Sequence, residues 1–308
     1  MPKPAWEVRM KKLLEDYDEF MQVIREPMPK SIRVNTNKIS VEELKPRLEK
    51  KGWKLSQPFP EKEIMIIENL KPGELGKSYE HLLGYYYIQE ISSMMSILAL
   101  NPKPGELMLD LCASPGSKTT QASAMMKNQG TIIANDKDIP RIAILNANLE
   151  RTGCSNVIVT RHDGVQLCMK LKEAGMKFDK ILLDVPCSGE GNIRSNNKTW
   201  LMWNPKAIQK LARQQRILAS AAIDLLKEDG ELVYSTCTHS PEENEANVNY
   251  LAKTFNLKVE KINLPIKCRE GISEWGREEF NNDIKNCCRI YPQDNNTEGF
   301  FLAKLKRK

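Results

Sequence analysis

From about Ser78 the chain alternates strand-like and helix-like stretches. A helical pattern in QEISSMMSILALN leads to the strand-like LMLDLCA, then helix TTQASAMMKN, strand TIIAND, helix IPRIAILNANLERTG, strand NVIVT, helix VQLCMKLKEAG and strand KILLDV. The long helical run KAIQKLARQQRILASAAIDLLKEDG, the strand ELVYST and the helix PEENEANVNYLAKTF continue the series. Strands separated by helices need crossovers, which are right-handed, and these build a mostly parallel sheet covered on both faces. The expectation is an α/β fold. Two late apolar stretches, CCRIYP and GFFLAKL, are parted by the turn-rich QDNNTE and predict an antiparallel hairpin at the sheet edge.

Residues 1–77 pattern differently. WEVRMKKLLEDYDEFMQVI is helical, SIRVNTN strand-like, SVEELKPRLEKKG helical and IMIIENL strand-like, which together read as a small α+β unit. Ser40 and Glu43 have the spacing of a capping box, in which the serine side chain satisfies a free amide at the helix start. The expected division is therefore 1–77 and 78–308.

At 308 residues with 41% hydrophobic side chains, the chain can bury a real core. No apolar run reaches membrane-spanning length, and MPKPAWEVRMKKLLEDYDEF carries charge where a signal peptide is apolar, so a cytoplasmic protein without membrane attachment is expected. Eight cysteines scattered over such a chain read as free thiols rather than as a disulfide framework. None pair at C-x-x-C spacing, and His81, His162 and His239 have no partner at ligand spacing, so no structural metal is expected. The net charge of +6, from 46 basic and 40 acidic side chains, is a mild pull toward a polyanion. Its distribution says more: Arg194, Lys198, Lys206, Lys210, Arg213 and Arg216 follow Glu190 with no further acid, and the chain ends in KLKRK. A solvated helix face would carry the same residues.

In LMLDLCASPGSKTTQ a strand ending at Asp110 passes through a small-residue loop into a helix, at the strand end where ligands of doubly wound sheets bind. A Walker phosphate loop requires G-x-x-x-x-G-K-[ST]; here Ser117 separates Gly116 from Lys118, and Leu111 stands where the first glycine belongs. A dinucleotide fingerprint needs three glycines, and this loop has one. What remains is a mononucleotide-like ligand without a diphosphate. S-adenosyl-L-methionine fits, its carboxylate meeting the amides at the helix start and the Lys118 ammonium. The loop residues assigned to it are Cys112, Ala113, Ser114, Pro115, Gly116, Ser117 and Lys118. The next strand ends at Asp136, twenty residues past Gly116, where a carboxylate can take both ribose hydroxyls. A third ends near Asp163, at the height of the adenine, and a fourth at Asp184. Any one of these would pass as a turn aspartate, but three at successive strand ends of one sheet weaken that reading. Arg141 and Asp184 complete the cofactor set, and the fold expected is a Rossmann-like methyltransferase with the small α+β unit in front.

Two further stretches, ILLDVPCSGEG and LVYSTCTHS, each put a cysteine just past a strand-forming run, Cys187 in the first and Cys237 in the second. Two thiols and a carboxyl beside a methyl donor suit cytosine carbon 5, which is too poor a nucleophile to take a methyl group unaided. A thiolate adding to carbon 6 creates an enamine whose carbon 5 can attack the sulfonium methyl. Asp184, three residues before Cys187, is positioned to share a proton with ring nitrogen 3, and a base must then remove the carbon-5 proton. The residues alone leave open which cysteine attacks.

DLCASPGSKT, DVPCSGEG and YSTCT, with RVNTNK upstream and TEGFFLAKL near the end, resemble the Nop/Sun family of RNA cytosine-5 methyltransferases over nearly the whole chain. The ordered set is specific where no single motif is. The resemblance implies that Cys237 is the nucleophile and that Cys187 assists product release, the reverse of DNA cytosine-5 methyltransferases. It implies a catalytic set of Cys237, Cys187, Asp184 and Lys118. Residues 1–77 resemble the family's truncated RNA-recognition-like domain, and the stretch from Arg194 to Arg216 becomes a phosphate-contacting loop and helix. With no inserted extra RNA-binding domain, the chain looks most like archaeal tRNA methyltransferases, so the expected partner is RNA and specifically tRNA. An rRNA cytosine-5 methyltransferase, or a non-catalytic RNA-binding or assembly factor that kept the fold, are the alternatives. An amino-group methyltransferase would resemble proteins with Asn/Asp-Pro-Pro-Tyr where this chain has DVPC. Cys112, Cys154, Cys168, Cys268, Cys287 and Cys288 read as small, mostly buried residues.

Overall fold

The computed structural model describes residues 2–196 and 198–307. A small antiparallel sheet comes first, from β1 (Lys30–Val34), β2 (Leu55–Ser56), β3 (Ile64–Ile67) and β4 (Tyr86–Ile88), in the order β2-β3-β1-β4. The helix Val41–Glu49 covers it and starts with the expected capping box between Ser40 and Glu43. The strand β4 lies beyond residue 77, where the sequence pattern put the end of this unit. Three residues are too few to show a hydrophobic period, so only the pairing of Ile32–Val34 with β4 reveals it.

The N-terminal helices, Pro4–Leu13 and Tyr17–Val23, pack elsewhere. Trp6, Met10, Phe20 and Met21 cluster with Ile193, Trp203, Ile208 and Tyr291 of the larger unit. Ion pairs from Arg9 to Glu242 and from Asp16 to Arg269 tie the same helices down. The RVNTNK motif is a second joint between the two units. Buried Arg33 donates to Gln89 Oε1 at 2.6 Å, to the Ser117 carbonyl at 2.9 Å and to Thr120 Oγ1 at 2.9 Å. Asn35 Nδ2 reaches the carbonyls of Gly84 and Thr152 at 2.8 and 2.7 Å.

The larger sheet is built from β5 (Leu107–Asp110), β6 (Thr131–Asp136), β7 (Val157–Arg161), β8 (Phe178–Asp184), β9 (Leu226–Thr236), β10 (Leu257–Glu260), β11 (Arg269–Glu270), β14 (Cys288–Ile290) and β15 (Phe300–Arg307); β12 (Glu274–Trp275) and β13 (Glu278–Glu279) form a separate hairpin. Its order is β11-β14-β15-β9-β8-β5-β6-β7, with β10 also on β15. The run β9-β8-β5-β6-β7 is parallel, and β15 joins it antiparallel to β9. Apolar residues such as Leu109, Ile181 and Tyr234 feed the core on one face, and Met108, Leu182 and Val233 the core on the other. This is the alternation of a sheet covered on both sides.

Three expectations need correction. β14 and β15 do form an antiparallel hairpin, but β15 is interior, flanked by β9 on one side and by β14 and β10 on the other. The helix Pro205–Ile223 stops before LLKEDG, and β9 already begins at Leu226, which pairs with Phe178. Leu225 and Leu226 are both fully enclosed, and sheet packing overrides the helical propensity of the run. The cysteines are not all free: Cys268 and Cys288 form a disulfide with a Cα–Cα distance of 5.1 Å, brought together by the pairing of β11 with β14. Cys112, Cys154, Cys168, Cys187, Cys237 and Cys287 remain thiols. Among the described residues no helix is long and apolar enough to cross a membrane.

Candidate active site

Parallel strands present their carboxyl ends on one side of the sheet, and β5, β6, β8 and β9 end there in Asp110, Asp136, Asp184 and Thr236. From Asp110 the chain turns through Gly116 into the helix Ser117–Met125. Gly116 has φ +98°, a backbone conformation that favours glycine because an L side chain there is strained. Two adjoining cavities of about 430 and 510 Å³ open over these strand ends and share Cys112, Arg141 and Pro186.

The first cavity gathers Asp136, Arg141 and Asp163 with Cys112. Buried Asp136 accepts from Arg141 Nε at 3.0 Å and from the Asp138 N–H at 3.2 Å. Arg141 and Ser114 exchange hydrogen bonds, Nη2 to the Ser114 carbonyl and Ser114 Oγ to the Arg141 carbonyl, both at 2.8 Å. The loop is thus bolted to the end of β6. Asp163 caps the helix Gly164–Glu173, its Oδ1 accepting from the N–H groups of Val165 and Gln166 at 3.0 and 3.3 Å.

The second cavity brings together Lys118, Asp184, Cys187 and Cys237, along with Ala113, Ser114, Pro115 and Ser117. Lys118 is turned away from the helix start. Its Nζ donates to Asp184 Oδ2 at 2.7 Å and to Ser93 Oγ at 3.0 Å, 5.3 Å above the Phe300 ring. Ser235 Oγ donates to the other Asp184 oxygen at 2.9 Å. The Sγ atoms of Cys187 and Cys237 are 3.1 Å apart, and Asn192 Nδ2 donates to Cys237 Sγ at 3.2 Å. The Cys237 bond, burial and the charge of Glu243 hold the Cys187 thiol well above its ordinary pKa. Burial pushes the Asp110 carboxyl up to about 7, and burial together with Asp110 pushes the Cys112 thiol up.

A buried polar web holds the two cysteine loops. Glu243 Oε2 accepts from the Ser188 N–H at 3.0 Å and from Gln215 Nε2 at 2.7 Å, while Gln215 also reaches the Pro186 carbonyl at 2.8 Å. Ser188 and Thr238 share a hydroxyl bond at 2.8 Å, and Glu190 accepts from Ser240 Oγ at 2.9 Å and from the Trp203 indole. Residues 186–190 and 237–243 are therefore one unit, which fixes the separation of the thiols.

The comparisons with known proteins follow this geometry. The sequence pattern of the family described as 16S rRNA methyltransferase RsmB/F matches residues 97–306, most of the chain. The chain belongs to the RsmB/F methyltransferase family. The pattern of the N-terminal domain of 16S rRNA methyltransferase RsmF matches residues 2–91. The tRNA (cytosine(49)-C(5))-methyltransferase of Pyrococcus abyssi is 40% identical over 294 residues, covering 96% of this chain and 93% of that protein. Ribosomal RNA small subunit methyltransferase F of Vibrio parahaemolyticus is 39% identical over 293 residues, 94% of this chain but 59% of that protein. Among solved structures, a methyltransferase homologue from Pyrococcus horikoshii superposes with a TM-score of 0.85 at 35% identity, covering 96% of this chain and 91% of the other. NSun6 from the same organism, solved with SFG, gives 0.83 at 28% identity, covering 99% and 98%. The family is one of RNA cytosine-5 methyltransferases, and its methyl donor is S-adenosyl-L-methionine.

Sequence reasoning passed over several cavity residues. Asn192 and Ser235 lie within or beside quoted motifs, but nothing local shows that they touch Cys237 and Asp184. Ser93 and Glu90 come from the helix start before β5, far from any motif. Arg194 was expected to meet phosphate, yet its guanidinium is spent inside the protein. It donates to the carbonyls of Glu26, Pro27 and Thr297 at 3.1, 3.0 and 3.2 Å and to Asn296 Oδ1 at 2.6 Å. Arg216 bonds Asn247 Oδ1 at 2.6 Å, whereas Lys198, Lys206, Lys210 and Arg213 stay exposed.

Proposed function

We propose that this chain methylates carbon 5 of cytosine in tRNA through a covalent adduct on Cys237. The observation that carries the reading is the Cys237 thiol, which shares one cavity with Cys187, Asn192 and the Lys118–Asp184 pair and adjoins the cavity holding Asp136.

The residues fit S-adenosyl-L-methionine. Asp110 Oδ1 is a buried acceptor on the cavity wall with no partner among the described residues, and the ammonium of the methionine portion suits it. Asp136 would take the ribose hydroxyls, Asp163 and Arg141 would border the nucleoside, and Cys112 would pack between the two lobes as a neutral thiol. When bound, the cofactor supplies an electrophilic methyl on a sulfonium.

The chain's own groups do the rest. The Cys237 thiolate forms a bond to carbon 6, with the Asn192 amide orienting the sulfur. Asp184, held between Lys118 and Ser235, would share a proton with ring nitrogen 3, which takes it up as electrons move onto the ring. Carbon 5 takes the methyl group, a base takes the carbon-5 proton, and the carbon 6–sulfur bond breaks to return the Cys237 thiolate. Cys187, holding its proton 3.1 Å away, is placed to ease that last departure.

The reading of tRNA is supported by the Pyrococcus abyssi tRNA enzyme, which is 40% identical over 96% of this chain. Small-subunit rRNA is the second reading, favoured by the descriptions of both matching families. Labelled methyl transfer to tRNA transcripts and to small-subunit rRNA, followed by bisulfite sequencing, tests both. Label confined to rRNA overturns the tRNA assignment, and label in neither overturns the activity.

A further inference from the structure

Glu298 lies in the TEGFFLAKL motif, just before β15, and is 4% exposed. Its Oε1 accepts the Ser195 N–H at 3.0 Å. Its Oε2 is buried without a partner among the described residues, and the side chain lines the same cavity as Cys187, Cys237 and Asp184. Glu90 stands beside it on the wall but is engaged by the protein: Oε1 accepts the Glu298 N–H and Oε2 the Ser93 N–H, both at 3.2 Å, as well as Ser92 Oγ. Of this pair, Glu298 is the one that offers an open acceptor to whatever enters.

A buried acceptor left without a donor is costly, and such groups in native proteins are kept for a ligand, a water or a reaction. Burial, with the charge of Glu90 adding to it, pushes the Glu298 carboxyl up to about 7, against the pull of the Ser195 bond and Arg194. An unpartnered carboxyl oxygen is an acceptor, as phosphate oxygens are, so the group that fits is a hydrogen-bond donor and not the RNA backbone. A cytidine brings two such donors into the pocket, its 4-amino group and its ribose 2′-hydroxyl. We propose that Glu298 Oε2 accepts a hydrogen bond from the target cytidine and so helps to select it; this rests on the cytosine-5 reading above.

The test compares wild type with E298Q on RNA whose methylated cytidine is kept, replaced by 2′-deoxycytidine, or replaced by the 2-pyrimidinone riboside that lacks the 4-amino group. Turnover is read for the first two and covalent adduct for the third. In E298Q the amide oxygen still receives the Ser195 N–H, while its NH₂ puts a donor where an acceptor is needed. The expected result is a loss of about 10- to 100-fold in kcat/KM for RNA, as for one charge-assisted hydrogen bond, with an unchanged KM for S-adenosyl-L-methionine. One of the two altered targets is then penalised in wild type but not in E298Q, the deoxy target if the hydroxyl is the donor and the pyrimidinone if the amino group is. A purely structural role predicts rescue by glutamine. Wild-type kcat/KM in E298Q, or equal penalties for both altered targets in the two proteins, overturns the inference alone. A wild-type enzyme that labels no RNA cytosine overturns the underlying reading together with it.

Discussion

Cys187 Sγ lies 3.1 Å from Cys237 Sγ, and the two thiols sit on loops that follow adjacent strands, β8 and β9. Two thiols this close cannot both be ionised at modest cost, and the hydrogen bond with Cys237, burial and Glu243 push the Cys187 thiol well above its ordinary pKa. In the mechanism proposed above, the second thiol need not be a nucleophile, since it stands beside the sulfur that has to leave.

The roles proposed for the two thiols have a direct test. Cys237→Ala is expected to abolish both methyl transfer and any covalent link to RNA, because no enamine can form. Cys187→Ala is expected to attack and methylate, then stall, leaving protein bound to RNA on a denaturing gel. Adduct in the Cys237 variant and none in the Cys187 variant would reverse the two roles.

Asp136→Ala is expected to weaken cofactor binding by roughly 2–4 kcal/mol, since it removes two hydrogen bonds to a charged acceptor and also releases Arg141 from its 3.0 Å contact. Calorimetry with S-adenosyl-L-methionine measures it. Unchanged affinity removes Asp136 from the site.

The basic stretch divides into two kinds of residue. Lys206, Lys210 and Arg213 are exposed on one helix, and a triple change to alanine is expected to flatten the salt dependence of RNA binding, each lost phosphate contact lowering the slope by about 1. Arg194→Ala is expected instead to lower the melting temperature, because three backbone carbonyls lose their donor. A changed slope in the Arg194 variant at unaltered stability would restore it to the RNA surface.

Glu243 is fully buried behind the cysteine loops, and burial pushes its carboxyl from 4.5 up to about 7. A raised acid keeps its proton in the folded state after the unfolded chain has lost it, so its contribution is complete below about pH 4.5 and is lost as pH rises through about 7. Thermal melts of Glu243→Gln are therefore expected to show a smaller fall in stability between pH 5 and pH 8 than wild type, by about 1–3 kcal/mol. Identical pH profiles for the two proteins would mean that Glu243 titrates normally.

The order of elements from LMLDLCA to ELVYST, the cofactor loop and the residues of the two cysteine motifs were readable in the chain itself. Hydrophobic period and a strand-end aspartate are local signals carried by neighbouring residues. Charge along the stretch after Glu190 was equally visible, but its use was not. Arg194 finds its partners at Glu26, Pro27, Asn296 and Thr297, which come from opposite ends of the sequence. The same holds for Asn192 beside Cys237, Glu298 beside Ser195, the Cys268–Cys288 bridge and the early start of β9. Sequence by itself determined the parallel sheet and, through its resemblance to a known family, the methyl donor, because period and motif are carried by neighbouring residues. Only tertiary structure decided that the two thiols meet, which arginine is spent as a clamp and which carboxylate is left facing the cavity, because hydrogen bonds and burial join residues that the chain keeps far apart.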